Sequence, residues 1–266
     1  MPRLAGFDTG FADIHGVRTE IAAKGDGRPF LFLHPGQGLH GAGPALERLS
    51  ALGRVVVPSH PGFGASALPP AIATVDDLAY FYLDLIEQLG LGDPVIVGAS
   101  FGGWLAAEVA VRCPHAVGRL VLVDALGIKV GSREARDIAD MHAVGDAELA
   151  ALLYADPARH APDYAAMAEE EVVAMARDGE SWAFYGWRPY MHNPKLRGRL
   201  HRIGAPTLVL WGEGDRVVSP DYGRAYAAAI AGAQFETIPA AGHLSFVEQP
   251  DAFAARVAAF VARPTH

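Results

Sequence analysis

Short apolar runs recur along the chain, and segments with helical periodicity separate them. Such runs are typical of strands that are buried on both faces of a sheet. They occupy residues 30–33, 55–57, 95–97, 120–123 and 206–211. Between 74 and 90 the apolar residues keep the spacing of one helix face, and Thr74 ahead of them is a favourable N-cap. This alternation predicts an α/β fold with a mostly parallel, twisted sheet and helices on both faces.

The alternation of apolar runs and helical segments is interrupted between residues 127 and 203. Alanine-rich amphipathic stretches at 134–153 and 164–177 predict helices, and a run of aromatic residues follows at 182–191. A segment of this length is too long for an ordinary loop. The predicted organisation is therefore one core made of residues 1–126 and 204–266, interrupted by a helical insertion at 127–203.

Composition narrows the function classes. The apolar fraction of 51% supports a sizeable core, and the net charge of −8 argues against nucleic acid as a partner. The N-terminus lacks the pattern of a signal peptide, and no apolar run approaches the ~20 residues that span a membrane. The one cysteine cannot form an intrachain disulfide. We therefore expect a cytoplasmic protein that needs no membrane.

One motif carries chemistry directly. The sequence Gly98-Ala-Ser100-Phe-Gly102 follows the strand at 95–97 and opens a predicted helix. This Gly-x-Ser-x-Gly pattern is the nucleophile elbow, in which a sharp strand-to-helix turn exposes the serine hydroxyl. The helix N-terminus favours negative charge that develops beside it. Ser100 is therefore the candidate nucleophile, although a simple turn serine is the alternative.

Two further candidates follow later strands. Asp215 comes after the strand at 206–211, and His243 lies between the last predicted strand and the last helix. Because the carboxyl ends of parallel strands share one edge of a sheet, Ser100, Asp215 and His243 can converge there. Glu213 is the nearest competing acid. The histidines show no spacing that predicts a metal site, and we expect no cofactor.

These features together resemble the α/β-hydrolase superfamily, in particular its serine hydrolases with a helical cap. The order serine, acid, histidine is that of the family. The loops at 212–218 and at Gly242-His243 resemble its acid and histidine loops. His34-Pro35-Gly36 resembles its oxyanion loop, and the segment 62–66 its Gly-x-Gly-x-Ser pattern. The resemblance implies the α/β-hydrolase fold, with residues 127–203 as the cap or lid.

The resemblance also implies roles for the residues. Ser100 attacks a carbonyl, His243 accepts its proton, and Asp215 orients the imidazole. The backbone N–H of Phe101 and that of Gly36 or Gln37 form the oxyanion hole, with Gly36 favoured. Apolar side chains of the cap would then meet the substrate. The predicted pocket consists of His34, Trp104, Trp182, Phe184, Trp187, Tyr190, Met191 and Leu244; core packing is the alternative for the aromatic run.

The implied function is hydrolysis of a small-molecule carboxylic ester or lactone through an acyl-enzyme. Pro35 replaces the glycine that usually follows the histidine of the oxyanion loop, so the second oxyanion donor stays open. Leu244 stands where carbon–carbon hydrolases of ring-fission products commonly carry tryptophan, which makes that activity the alternative. A small-molecule receptor without turnover is the second alternative. The sequence leaves undetermined whether the protein is a monomer or a homodimer.

Overall fold

The structure is a computed structural model that describes residues 4–132 and 134–264. Its centre is one eight-stranded sheet. The strands are β1 (Asp8–Ile14), β2 (Val17–Lys24), β3 (Pro29–Leu33), β4 (Arg54–Pro58), β5 (Val95–Ala99), β6 (Arg119–Val123), β7 (Thr207–Gly212) and β8 (Gln234–Ile238).

The strand order is β1-β2-β4-β3-β5-β6-β7-β8. Only β1 and β2 pair antiparallel with their neighbours, and every pairing from β4 across to β8 is parallel. The prediction of an α/β fold with a mostly parallel sheet is therefore confirmed. Because the order runs outward from β3 in both directions, the ends of β3 and β5 lie side by side at the centre of the sheet.

Nine α-helices lie within the described residues. They are α1 (Gly43–Ser50), α2 (Val75–Gln88), α3 (Phe101–Arg112), α4 (Asp146–Leu153), α5 (Pro157–His160), α6 (Glu169–Gly186), α7 (Pro220–Ala228), α8 (Ser245–Glu248) and α9 (Pro250–Val261). Short 3-10 helices occur at Pro114–Ala116 and Arg197–Arg202. No described helix is both long and apolar enough to cross a membrane.

The apolar runs form the inner strands because both faces of these strands are covered. All five residues of β5 and of β6 are buried, and so are all six of β7. The start of α2 also follows its sequence signal. The hydroxyl of Thr74 accepts a hydrogen bond from the Asp77 N–H, and the Asp77 carboxylate accepts one from the Thr74 N–H, which completes a capping box.

The helices between β6 and β7 differ from their predicted bounds. The helix expected over 134–153 begins only at Asp146. Before it, the Asp137 carboxylate accepts hydrogen bonds from the N–H groups of Val130 and Gly131 and from the Lys129 ammonium, which holds this stretch as an irregular loop. The helix expected over 164–177 is α6, which begins at Glu169, runs on to Gly186 and takes in half of the aromatic run.

Candidate active site

Ser100 lies in a sharp turn where the neighbouring backbone segments pack closely together. It lies between β5 and α3 with φ of 51° and ψ of −114°, in the left-handed half of backbone space that side chains rarely adopt. A Cβ on Gly98 would lie 2.4 Å from the carbonyl oxygen of Gly102, and one on Gly102 would lie 2.0 Å from that of Leu33. The close approach of strand, helix and β3 therefore requires both glycines of the motif.

The structure brings three distant side chains into one hydrogen-bonded chain. Ser100 Oγ lies 2.8 Å from His243 Nε2, and His243 Nδ1 lies 2.9 Å from Asp215 Oδ2. The other carboxylate oxygen of Asp215 accepts hydrogen bonds from the N–H groups of Val217 and Val218, at 2.8 and 3.0 Å. Ser100 and His243 are fully buried. This geometry can move a proton from the serine hydroxyl to the imidazole.

The orientation of Asp215 follows from its loop. The two backbone donors hold one oxygen, so the other is left to face the imidazole. Because the Asp215 carboxylate can only accept, the Nδ1–H of His243 donates a hydrogen bond to it. Nε2 is then left as the acceptor for the Ser100 hydroxyl. The competing acid, Glu213, is exposed and accepts a hydrogen bond from the Thr237 hydroxyl at 2.9 Å.

A second buried carboxylate stands behind this chain. Asp124 follows β6 and accepts hydrogen bonds from the Gly212 N–H at 2.7 Å and from the hydroxyl of Ser245 at 2.5 Å. Burial raises the pKa of Asp124 well above its usual range, and the charge of Asp215 raises it further. Asp124 thereby ties the start of the acid loop to the residues after His243. Sequence reasoning missed this role, although an aspartate directly after a buried strand was a visible signal.

The loop after β3 carries the two residues considered for the second oxyanion donor. The N–H groups of Gly36 and Gln37 have no hydrogen-bond acceptor within residues 4–132 and 134–264, so each is free to bind a ligand. A Cβ on Gly36 would lie 2.3 Å from the Trp182 indole, which places α6 directly against this loop. Phe101, the other predicted donor, is the first residue of α3 and is buried.

His34 lies in a network beneath the loop. Its ring stacks on that of His60, with 3.7 Å between centroids, and its Nε2 accepts a hydrogen bond from the His60 N–H at 3.1 Å. Its Nδ1–H therefore donates to the Pro35 carbonyl, at 2.8 Å. The His60 Nε2–H donates to the His34 carbonyl at 2.9 Å. Burial lowers the pKa of His34 to about 4, so the ring is neutral at pH 7 and braces the loop.

Two cavities lie beside this loop, and Gln37 lines both. One, of about 230 Å³, is also lined by Pro35 and Leu244. The other, of about 400 Å³, is also lined by His142 and Trp182. Of the predicted pocket residues, Leu244 and Trp182 are thus the two that border these spaces. Leu149, Leu153, Tyr154, Tyr164 and Met175 of the insertion also line one or both, and no sequence signal singled them out.

The other predicted pocket residues lie elsewhere. Trp187 and Tyr190 line a separate cavity of about 470 Å³ beside Ile128. Phe184 lines neither of the loop's two cavities and is 52% exposed. Trp104 and Met191 are buried: the Trp104 indole N–H donates to Glu108 at 3.0 Å, and Met191 is buried completely.

No group of three or more histidine, cysteine, aspartate or glutamate side chains within the described ranges has the geometry of a metal site. The chemistry that the site itself can offer is a serine hydroxyl next to an imidazole, with free backbone N–H groups on a neighbouring loop. That combination suits nucleophilic attack on a carbonyl carbon.

Comparison with known proteins agrees with this chemistry. A model of the alpha/beta hydrolase family matches residues 30–256. A 2-hydroxymuconate semialdehyde hydrolase from Pseudomonas putida is 28% identical over 269 residues, which cover 93% of this chain and 92% of that protein. The crystal structure of a hydrolase from Pseudomonas aeruginosa PA01 is similar with a TM-score of 0.76 and 28% identity, over 97% of this chain and 100% of the other.

A thermophilic esterase from Thermogutta terrifontis shares the fold. Its structure is similar with a TM-score of 0.71 and 24% identity, over 96% of this chain and 98% of the esterase chain. Proteins that resemble this chain over nearly its whole length therefore include hydrolases whose names refer to different substrates.

Proposed function

The chain belongs to the alpha/beta hydrolase family, and from that premise we propose that it is a serine hydrolase that cleaves carboxylic esters or lactones through an acyl-enzyme on Ser100. The observation that carries the proposal is the continuous hydrogen-bonded chain from Ser100 Oγ through His243 to Asp215. Every link lies within ordinary hydrogen-bond distance. A merely structural serine would not need a buried imidazole and carboxylate aligned behind it.

The proposed reaction has two halves. Ser100 Oγ attacks the ester carbonyl while His243 Nε2 takes its proton, and the oxyanion is stabilised by the N–H groups of Phe101 and Gly36 or Gln37. When the tetrahedral intermediate collapses, the imidazolium returns the proton to the leaving alkoxide and the alcohol departs. Water then attacks the acyl-enzyme, His243 takes its proton, and the acid is released with Ser100 regenerated. Asp215 stabilises the imidazolium in both halves.

The side chains that line the cavities beside the loop after β3 favour a substrate whose surface is largely apolar. The cavity bordered by Leu244 is lined by Leu149, Leu153 and Met175, and burial of apolar substrate surface there contributes binding energy. The complete burial of Ser100 and His243 also keeps bulk water away from the reacting atoms. Hydrogen bonds to a developing oxyanion are stronger in such a site.

Hydrolysis of a carbon–carbon bond is the second candidate. The similarity to the 2-hydroxymuconate semialdehyde hydrolase over 93% of this chain favours it. Leu244 disfavours it, because carbon–carbon hydrolases that cleave ring-fission products commonly carry tryptophan at the corresponding position. Both activities use a serine, a histidine and an acid, so the triad alone does not discriminate between them.

The test combines a covalent probe with a substrate comparison. A fluorophosphonate should label the protein at Ser100, and Ser100→Ala should abolish both labelling and turnover of short p-nitrophenyl esters. Ser50→Ala, at the partly exposed end of α1, is the matched control and should keep both. Intact ester turnover in folded Ser100→Ala protein would refute the proposal. Faster turnover of a vinylogous diketone than of the esters, on the same preparation, would favour the second candidate.

A further inference from the structure

The backbone on either side of His243 is held by hydrogen bonds to groups outside its own turn. Before the histidine, the Gly242 N–H donates to the carboxylate of Glu248 at 2.5 Å. After it, the Leu244 N–H donates to the carbonyl of Leu153 at 3.2 Å. The position of His243 therefore depends on Glu248 and on Leu153, the last residue of α4.

Glu248, the last residue of α8, also binds the insertion between β6 and β7. Its Oε2 accepts a hydrogen bond from the Ala155 N–H at 3.2 Å, and its Oε1 accepts one from the Asp156 N–H at 3.0 Å. Glu248 is only 7% exposed, and the three backbone N–H groups replace the water that its carboxylate loses on burial. One carboxylate thus joins the segment between α4 and α5 to the residue before His243.

The same two segments pack backbone against backbone. A Cβ on Gly242 would lie 2.8 Å from the backbone nitrogen of Ala155 and 2.9 Å from the carbonyl oxygen of Leu153. Contacts this close leave no room for a side chain between the segments. A displacement of residues 153–155 would therefore break the Glu248 hydrogen bonds or move Gly242 as well.

The imidazole of His243 tolerates little movement, because both of its nitrogens have partners. Nε2 lies 2.8 Å from Ser100 Oγ, and Nδ1 lies 2.9 Å from Asp215 Oδ2. Ser100 is fixed by its turn and Asp215 by two backbone donors, so the position of His243 decides whether both bonds form. A misplacement of about 1 Å in a catalytic group can cost on the order of 10²-fold in rate.

Two buried carboxylates thus hold the chain around His243, and they have different partners. Asp124 accepts hydrogen bonds from the N–H groups of Ser245 and of Gly212, at the end of β7. Glu248 accepts from Gly242 and from residues 155–156. Asp124 therefore ties the histidine loop to the sheet, whereas Glu248 ties it to the insertion.

We propose that Glu248 is a positioning residue for the reaction at Ser100, and that it makes the placement of His243 depend on the insertion. It acts through the backbone of Gly242 and not on the reacting atoms. This inference rests on the proposed function for the role of His243 as general base. It gives the insertion a second task besides lining the cavities, which is to hold the imidazole toward Ser100 and Asp215.

The kinetic test compares Glu248→Leu and Glu248→Gln with wild type. Leucine removes all three hydrogen bonds, whereas glutamine keeps one acceptor oxygen and turns the other into a donor. Rates for a p-nitrophenyl ester are divided by the number of sites that a fluorophosphonate labels at completion, so unfolded protein does not count. Glu248→Leu should lower kcat by about tenfold or more with little change in KM, and Glu248→Gln should show a smaller loss of the same kind.

A spectroscopic readout needs no turnover. In protein with isotope-labelled histidine nitrogens, the chemical shifts of the ring nitrogens show which of them carries the proton. The signals of His243 are assigned by comparison with His243→Gln. Wild type should show His243 protonated at Nδ1, and Glu248→Leu should show a mixture of both tautomers, because the hydrogen bond to Asp215 is weakened.

Two controls separate positioning from other effects. Glu87→Leu removes an exposed carboxylate from α2 and should leave kcat and the His243 tautomer as in wild type. Thr74→Ala weakens the start of α2 and controls for a general loss of stability. A purely structural role of Glu248 would lower the Tm, as Thr74→Ala does, without changing kcat per labelled site.

The outcomes distinguish this inference from the proposed function. Native kcat and a native tautomer in folded Glu248→Leu, or in Glu248→Gln if the leucine variant does not fold, would overturn the positioning role even if wild type hydrolyses esters. A rise in KM at constant kcat would also overturn it, since Glu248 would then act on substrate binding. Conversely, an altered tautomer in a protein whose wild type neither labels at Ser100 nor hydrolyses any ester would support the positioning of His243 and refute the proposed function.

Discussion

Replacing Asp215 by asparagine changes one atom but reverses a hydrogen bond in the site. In the native loop the N–H groups of Val217 and Val218 donate to one carboxylate oxygen, and the other oxygen accepts from His243. The asparagine must keep its carbonyl oxygen toward the two backbone donors, because its amide nitrogen cannot accept from them. The amide nitrogen then faces His243 Nδ1 and donates to it.

That reversal forces the wrong tautomer of the histidine. With Nδ1 accepting, the ring proton moves to Nε2, which can then only donate to Ser100 Oγ and no longer accept its proton. The expected loss in kcat is about 10⁴-fold, which corresponds to about 5 kcal/mol of transition-state stabilisation. The fold should be retained, since the side chains have the same shape and the loop keeps its two backbone hydrogen bonds.

The assay compares hydrolysis of a p-nitrophenyl ester with the rate of fluorophosphonate labelling, because both need an activated serine. Circular dichroism checks that Asp215→Asn is folded. Glu213→Gln is the matched control: the exposed side chain can still accept the hydrogen bond from Thr237, and we expect less than a twofold change. Activity of Asp215→Asn within tenfold of wild type, or a large loss in Glu213→Gln, would refute the assigned acid.

Three further perturbations test other parts of the structure. Gly36→Ala should lower kcat/KM by about tenfold or more, because a Cβ 2.3 Å from the Trp182 indole displaces one of them; unchanged tryptophan fluorescence and activity would contradict this contact. Thr74→Ala should lower the free energy of unfolding in urea by about 1 kcal/mol through loss of the capping box, whereas Thr74→Ser should restore most of it. Burial opposes ionisation of Asp77, but hydrogen bonds from Thr74 and Ala73 outweigh it and lower the pKa. The stabilisation from Asp77 is therefore present above its unfolded-state pKa of about 4 and lost as pH falls below it, so the Tm deficit of Asp77→Ala should shrink between about pH 6 and pH 3.

Much of the core was predictable because a strand that is buried on both faces is apolar at nearly every position. Runs such as 95–97 and 120–123 are apolar at every position, and the structure covers both faces of β5 and β6. The elbow was equally visible, since close packing at Gly98 and Gly102 tolerates no side chain. Requirements of this kind involve only neighbouring residues, so the sequence shows them at the positions concerned.

The insertion was less predictable, because its structure depends on partners far away in the chain. Alanine-rich periodicity predicted a helix from 134, but the Asp137 carboxylate and a backbone hydrogen bond from Ala139 to Val217 hold an irregular loop there. The aromatic run had no single role. Trp182 contacts the loop after β3, whereas Phe184, two residues later on the same helix, is exposed.

The sequence by itself determined the α/β fold, the turn at Ser100 and the strand ends after which Asp215 and His243 lie, because each depends on a short stretch of residues. Only the tertiary structure decided the distances among them, the tie that Asp124 makes between the acid and histidine loops, and the meeting of Gln37 with His142 and Trp182. Those features depend on how the sheet and the insertion pack together. Packing between distant segments leaves no local pattern, and so the turn at Ser100 was predictable while the side chains that line the cavities beside the loop after β3 were not.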